Sequence, residues 1–232
     1  RQTRNSPGLR QIENLLQTAL PKTKLGFRLP VGTEEVLKTA PAERIAAFYR
    51  RFYRPENATL IMVGDFDAVD IEGKIKKSFS DWQGKGSAGI AAVGTVDVQA
   101  PLSVNQFNDP SATAVVQFNH MAPYQPKENS YAGELRSILE TLGMQMIGQR
   151  VDRLGRLPES KVAGGFQLQA DLFRTARQNT IAMVAKGEDW NSAVGATEQE
   201  LRRALQYGFT QSELAEVMAT NEAALQTAAA QQ

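Results

Sequence analysis

The pattern of apolar and polar residues is clearest between residues 39 and 82, where it predicts a helix, a strand and a second helix. The first helix has one apolar face, because large apolar side chains recur every three or four residues. These side chains are Ile45, Phe48, Tyr49 and Phe52. Pro55 ends the helix, since proline lacks an N–H group. The apolar run at 60–63 then predicts a strand covered on both faces, and Asp67 is placed to cap the second helix.

Three further strands are expected in the second half of the chain. Residues 113–118 form a short apolar run, and residues 166–172 alternate between apolar and polar side chains. A third run lies at 181–184, and residues 174–178 supply the turn before it. Each of the last two runs is long enough for a strand and too short for a helix.

Helix signals surround these strands. A short amphipathic helix is expected at 12–20, and a longer one starts at Ser130, with interruptions at Gly143 and Gly148. Two more helices follow, and the second begins with a capping box. Asp189 is placed to cap the first of these helices, which runs to Tyr207. Thr210 and Glu213 form the capping box of the second.

This order of elements favours an α+β fold in which helices pack on one face of an antiparallel or mixed sheet. The composition changes between residues 84 and 110, where Gly, Ala, Ser and Val dominate. This segment is predicted to be an interdomain linker, with pairing of 93–98 as a strand left open. The predicted domains are therefore 1–83 and 111–232.

Three glycines in this linker spell the pattern G-x-G-x-x-G. They are Gly84, Gly86 and Gly89. The pattern indicates phosphate binding only between a strand and a helix N-terminus. Here it follows a predicted helix and opens the linker, so the linker interpretation is favoured over a phosphate site.

The composition excludes several classes of function. A net charge of +1 gives no basic surface of the kind that binds nucleic acid. The absence of cysteine excludes disulfides and thiol chemistry but leaves the compartment undetermined. No apolar run approaches the roughly 20 residues that span a bilayer. The chain starts at Arg1 without an initiating Met or a signal-like segment, as expected of a piece of a longer protein.

Candidate catalytic chemistry is sparse. His120 is the only histidine, and no partner accompanies it at the spacing of a metal site or a catalytic triad. A structural or solvent-exposed role is therefore favoured for it. The triplet at 57–59 matches a glycosylation sequon by pattern alone.

Several of these segments together carry a family resemblance. The string RLPVGTEE…AERIAAFYRRFYRPENATLIMVGDFD…IKKSFSDW and the later YGFTQSEL resemble the insulinase or pitrilysin group of zinc peptidases, the M16 family. The resemblance implies a two-layer sandwich of helices on sheets. The chain would then hold the C-terminal part of a first M16-like domain (1–83), the linker (84–110) and the first part of a second domain (111–232).

The resemblance also implies zinc for the full-length parent. The family's zinc motif is H-x-x-E-H on a helix, followed by a further Glu. The chain lacks this motif, so no metal ligand, cofactor or catalytic residue is assigned within it. Glu13 is the acid nearest to the expected position of the third ligand, but its predicted helix does not match that position.

Substrate-binding residues stay unknown. Family members use an Arg and a Tyr of the second domain to hold substrate, and Arg150 matches the first Arg of that region in a general way. The Tyr-Ser that should follow is missing, and Gly164 and Gly165 open the next strand instead. Three other charged residues of the region are interpreted as a solvated helix face or loop: Asp152, Arg153 and Glu159.

Three functions fit the sequence. The first is a non-catalytic portion of an M16-type zinc metallopeptidase, inactive alone, which contributes to the chamber wall around peptide substrates. The second is a catalytically inactive M16-like scaffold or partner-binding subunit. The third is a globular module that shares only the architecture of the family.

The expected partners follow from the same resemblance. They are the remainder of the parent polypeptide or a paired M16-like subunit, together with peptide substrate. An unpaired edge at 60–63 would also favour a homodimer, because an exposed strand edge invites pairing. The resemblance is compatible with a periplasmic or cell-envelope bacterial protein.

Overall fold

The computed structural model describes residues 6–29, 32–89, 92–187 and 189–231. The chain divides into two compact units, a smaller one of residues 29–92 and a larger one formed by the rest. This division groups residues by their contacts. The predicted domain boundaries after residues 83 and 110 follow the family's domain order instead, and they stay a prediction.

The described residues form helices and strands in both units. In chain order they are α1 Pro7–Ala19, α2 Glu34–Thr39, α3 Ala42–Phe52, α4 Ala68–Phe79, β1 Val115–Pro123, α5 Tyr131–Arg156, β2 Val162–Leu172, β3 Ala176–Ala185, α6 Trp190–Tyr207 and α7 Gln211–Ala230. A single 3₁₀ turn at Pro55–Asn57 follows α3. None of the helices within the described ranges is both long and apolar enough to cross a membrane.

The larger unit is built on a three-stranded antiparallel sheet in the order β1–β3–β2. β1 is longer than the predicted strand at 113–118 and therefore includes His120. The turn between β2 and β3 comes earlier than predicted. It is made by Phe173 and Arg174, whose φ angles are 47° and 53°, and β3 already begins at Ala176.

α5 and α6 pack on one face of this sheet, and α7 packs on α5. The hydrophobic core lies between sheet and helices. Its buried members are Ile147, Val151, Val162, Ile181, Met183, Ala185 and Ala193. The α+β architecture predicted from the sequence is confirmed.

α5 runs for 26 residues without a break, so the expected interruptions at Gly143 and Gly148 are wrong. Gly148 is buried, and a Cβ atom there would lie 2.3 Å from Oε1 of Gln167 on β2. This glycine therefore permits close helix–strand packing. The packing outweighs the low intrinsic helix propensity of glycine.

The smaller unit does not bury the apolar face that its sequence predicts. On α3, Ile45 and Phe48 are 63% and 58% exposed, and Phe52 is only half-buried. Residues 60–63 form no strand and are exposed. Both predictions are wrong here, because a strand needs a neighbour and the described residues of this unit include no other strand. Arg54 is the one buried residue among those described in this unit.

The predicted helix caps are confirmed. The Asp67 carboxylate accepts from the backbone N–H of Asp70 at the start of α4, and the Asp189 carboxylate accepts from Ser192 at the start of α6. Thr210 forms the expected capping box at α7. These signals were predictable because each cap lies within three residues of the group that it satisfies.

Candidate functional site

The most developed polar centre of the larger unit surrounds Arg150, where α5 meets the joint between α6 and α7. Arg150 Nε donates to Oε1 of Glu213 at 2.5 Å, and Nη2 donates to Oε2 at 2.9 Å. Nη2 also donates to the Gly208 carbonyl at 2.8 Å. This fork-to-fork geometry is the strongest form of Arg–carboxylate pair. We call Arg150 with the α6–α7 joint at 207–213 the arginine centre.

Glu213 serves two partners in this centre. Its Oε2 accepts from the Thr210 backbone N–H at 2.7 Å, and its own backbone N–H donates to Thr210 Oγ1 at 3.3 Å. The Arg150 guanidinium lies 4.6 Å from the ring centroid of Phe209. Gly208 makes the turn with a φ of 67°, a conformation that favours glycine. One arginine therefore holds the whole joint against α5.

Both members of the pair are charged and shielded. Their side chains are each 11% exposed. The hydrogen bond from Arg150 lowers the pKa of Glu213 to about 2, although burial opposes this. The same bond raises the pKa of Arg150. The pair stays ionised at neutral pH, and its charges neutralise each other.

This arrangement bears on the resemblance of Arg150 to a substrate-binding arginine. The face of its guanidinium packs on Phe209, and two of its nitrogens serve Glu213 and Gly208. A group engaged in this way ties helices together. The structure therefore supports a positioning role for Arg150 within the fold.

The other charged candidates lie on the surface. Arg153 pairs with Glu216, and Asp152 pairs with Arg156 one helical turn away. Glu159 is exposed after the end of α5. Exposed ion pairs of this kind contribute little to stability. Their interpretation as a solvated helix face or loop agrees with these positions.

His120 lies on β1 opposite Asn179 and is exposed. In the part of the chain that the structure describes, no three His, Asp or Glu residues come together as a metal site would require. Glu13 is half-buried on α1, far along the chain from His120. The Asn57 amide donates to the Phe52 carbonyl at 3.2 Å, so it fastens the 3₁₀ turn to α3.

The glycine pattern of the predicted linker encloses an arginine. Arg54 Nη1 donates to the carbonyls of Lys85 and Gly86, at 3.2 and 3.0 Å. A Cβ atom on Gly84 would lie 2.4 Å from Arg54 Nη2, and one on Gly89 would lie 2.4 Å from the Phe52 ring. The carbonyls of this loop point to a cation, so the loop is not arranged to bind phosphate. Sequence reasoning missed this role, because Arg54 is some thirty residues away.

On the sheet face turned away from α5 and α6, the described strand residues include no charged side chain. The strand register places Phe166 and Leu168 of β2 on this face, 42% and 44% exposed. On the neighbouring strands, Thr180 Oγ1 donates to Asn119 Oδ1 at 2.6 Å, and Gln178 Nε2 donates to Thr180 Oγ1 at 2.9 Å. The face thus combines exposed apolar side chains with a neutral polar network. We call it the neutral sheet face.

Comparisons with known proteins agree with this architecture. Residues 39–221 match the family described as Peptidase M16 inactive domain. Two curated relatives are each called Probable zinc protease PqqL. The Haemophilus influenzae protein is 21% identical over 91% of this chain, and the Escherichia coli protein is 25% identical over 92%.

The alignments cover only part of these relatives, since the chain spans 23% of the length of each. A solved structure, the first half of the periplasmic protease PqqL from Escherichia coli, superposes with a TM-score of 0.79 at 22% identity. That alignment covers 100% of this chain and 49% of the other. The resemblance seen in the sequence is confirmed, and the chain belongs to the M16 peptidase inactive-domain family.

Proposed function

We propose that this chain is a non-catalytic portion of an M16-type zinc metallopeptidase and forms part of the wall around its peptide substrates. The neutral sheet face is the observation that carries this proposal. Its exposed apolar side chains suit contact with unfolded peptide segments of many sequences, because no charged side chain beside them imposes a charge requirement. A wall of this kind shapes a chamber without performing the chemical step.

The residues of this chain do not fit a zinc site. Catalytic zinc in proteins takes three side-chain ligands, drawn from His, Cys, Asp and Glu. His120 stands alone on β1, and the described residues bring no such group together. We propose that zinc and the activation of water belong to another portion of the parent, a proposal supported by two relatives that are named probable zinc proteases.

The exposed apolar side chains of the smaller unit argue for a partner that covers them. Its apolar side chains on α3 and at 60–63 are exposed, whereas monomeric proteins seldom leave large apolar patches in water. We propose that the remainder of the parent polypeptide, or a paired M16-like subunit, covers this surface. In the isolated chain, a second copy would take that place, giving a homodimer. A periplasmic or cell-envelope location is part of the same proposal.

The alternative is a catalytically inactive scaffold or partner-binding subunit. It is favoured by the arginine centre, where the candidate substrate-binding arginine is committed to Glu213 and Gly208. The two functions make different demands on the sequence of the parent polypeptide. A peptidase portion requires the H-x-x-E-H motif elsewhere in the parent, and a scaffold does not.

Two measurements on the isolated chain test the non-catalytic assignment. After dialysis, elemental analysis is expected to find far less than one zinc per chain, and a fluorogenic peptide is expected to stay uncleaved. One tightly held zinc per chain, with cleavage that a chelator abolishes, would show that this portion is catalytic.

The wall itself is tested in the full-length parent by photo-crosslinking. A benzophenone amino acid at position 166, on the neutral sheet face, is expected to label a bound unfolded peptide. The same group at position 173 serves as a control, since Phe173 is also exposed but lies in the turn after β2. Equal labelling at both positions would contradict the wall. Absence of labelling in a parent that lacks H-x-x-E-H would favour the scaffold.

A further inference from the structure

Glu200 of α6 is a buried carboxylate with one of its two oxygens unpaired. Its side chain is 6% exposed, whereas that of its ion-pair partner Arg203 is 58% exposed. Glu200 Oε1 accepts from Arg203 Nη1 at 3.1 Å, so this oxygen is served from the surface side. Glu200 Oε2 is shielded from solvent and accepts from no group of the described residues. A buried carboxylate oxygen without a donor is costly, because its hydration is lost and not replaced.

Arg150 of α5 has a matching gap among its donors. Its Nε and Nη2 serve Glu213 and the Gly208 carbonyl. Its Nη1 is buried as well, and within the described ranges no acceptor contacts it. A guanidinium carries N–H donors on this nitrogen too. The larger unit therefore buries an unpartnered donor of positive charge on α5 and an unpartnered acceptor of negative charge on α6.

These two groups lie near each other without touching. The hydrogen bond with Glu213 raises the pKa of Arg150, and the charge of Glu200 adds to this rise. Such an effect requires proximity, because the Coulomb energy falls with distance. Among the described residues, however, the ion pair of Arg150 is with Glu213 and that of Glu200 is with Arg203. The distance from Nη1 to Oε2 is therefore too long for a direct hydrogen bond.

We propose that one buried water molecule bridges Arg150 Nη1 and Glu200 Oε2 and thereby links α5 to α6. A charged ligand does not suit this position, because Glu200 repels an anion and Arg150 repels a cation. Water is neutral, accepts from the guanidinium and donates to the carboxylate, so it satisfies both atoms. Buried waters typically make about two to four such hydrogen bonds. The guanidinium then joins α5 to α6 as well as to α7, and its Nη1 is unavailable to the carboxylate of a peptide.

A high-resolution crystal structure of the chain tests this site directly. One ordered water is expected within about 3.2 Å of both atoms. It should persist in Glu198→Leu and be absent from Glu200→Leu. Glu198 is the matched control, because it lies on the same helix and pairs with Arg202 on the surface. A direct bond between Nη1 and Oε2, the absence of a bridging water, or a water that remains in Glu200→Leu would overturn the proposal.

Urea denaturation tests the bridge in solution. Glu200→Leu should lower the urea midpoint at least about twice as far in the parent sequence as in an Arg150→Met background, because coupled residues have non-additive effects. Glu198→Leu should cause the same small shift in both backgrounds. Equal shifts by Glu200→Leu in the two backgrounds would show that no bridge couples the side chains.

Oxygen-17 relaxation dispersion decides the question if Arg150→Met does not fold, since it counts long-lived buried waters and needs only the two glutamate variants. Glu200→Leu is expected to lose one such water relative to the parent sequence, and Glu198→Leu is expected to lose none. An unchanged count in Glu200→Leu would contradict the bridge.

Discussion

Helix α3 and the C-terminal half of α5 differ in burial although both carry apolar side chains along one face. The N-terminal half of α5 is closer to α3, since Leu135, Ile138 and Leu139 are 44%, 52% and 59% exposed. On α5, Val151 is fully buried and Ile147 is 4% exposed, because the sheet lies against them. On α3, Phe48 and Tyr49 remain 58% and 56% exposed. The aromatic rings there stack along the helix, with Tyr49 and Tyr53 centroids 4.9 Å apart. Periodicity thus predicts which face is apolar, and the partner decides whether it is buried.

This difference divides the chain into a part that stabilises itself and a part that presents a surface. The larger unit has a core and the bidentate, buried Arg150–Glu213 ion pair. The smaller unit relies on helix caps and on Arg54 enclosed by a glycine loop. We therefore expect substitutions in the larger unit to reduce the free energy of unfolding, and equivalent substitutions in the smaller unit to have little effect on it.

The largest loss in free energy of unfolding is expected from Arg150→Met. It leaves the Glu213 carboxylate buried without its partner, which typically costs about 3–5 kcal/mol. Arg153→Met is the control, because the Arg153–Glu216 pair is about half exposed on both sides and exposed pairs contribute at most about 1 kcal/mol. Urea denaturation of both variants measures the difference. Similar midpoints for the two would show that the arginine centre contributes no more than a surface ion pair.

The difference in burial between the larger and the smaller unit is tested by Met183→Ala and Phe48→Ala. Met183 is fully buried between the sheet and its helices, and such truncations cost about 2–5 kcal/mol. Phe48 is mostly exposed on α3, so its loss should cost about 0.5 kcal/mol in the isolated chain at concentrations low enough for the chain to be monomeric. Thermal and urea unfolding are the measurements. A large effect at Phe48 would mean that a second copy already covers α3, and its dependence on protein concentration would identify that case.

The structure also shows what the sequence could predict. The caps at Asp67, Asp189 and Thr210 were predictable because donor and acceptor are three residues apart. The three strands of the larger unit and the α+β class followed from short apolar or alternating runs and from the order of elements, whereas the strand predicted at 60–63 does not form. The arginine centre, the Arg54 loop and the Arg10–Asp109 ion pair were not predictable. They join residues 63, 32 and 99 positions apart, and no local pattern marks such pairs.

Lowering the pH is expected to reduce the free energy of unfolding by an intermediate amount. The pKa of Glu213 is lower in the folded chain than in the unfolded chain, so its stabilising contribution is complete above about pH 4.5 and is lost as the pH falls toward 2. Glu213→Gln should therefore be less stable than the parent sequence at pH 7 and approach it near pH 2. Urea midpoints between pH 7 and 2 test this. A constant gap across the range would show that the Glu213 charge does not stabilise the fold.

The smallest loss in free energy of unfolding is expected from removal of helix caps. This loss should again differ between the two units. Thr210→Ala removes the capping box of α7, where Glu213 already binds Arg150, and an N-cap is worth about 1 kcal/mol. Asp67→Ala removes the equivalent cap of α4, a helix without a buried residue. We expect the first change to lower the urea midpoint of the whole larger unit. The second should only speed amide exchange within α4, because no core transmits its loss to the rest of the chain. A shift of the global midpoint by Asp67→Ala would show that the smaller unit contributes to the common stability after all.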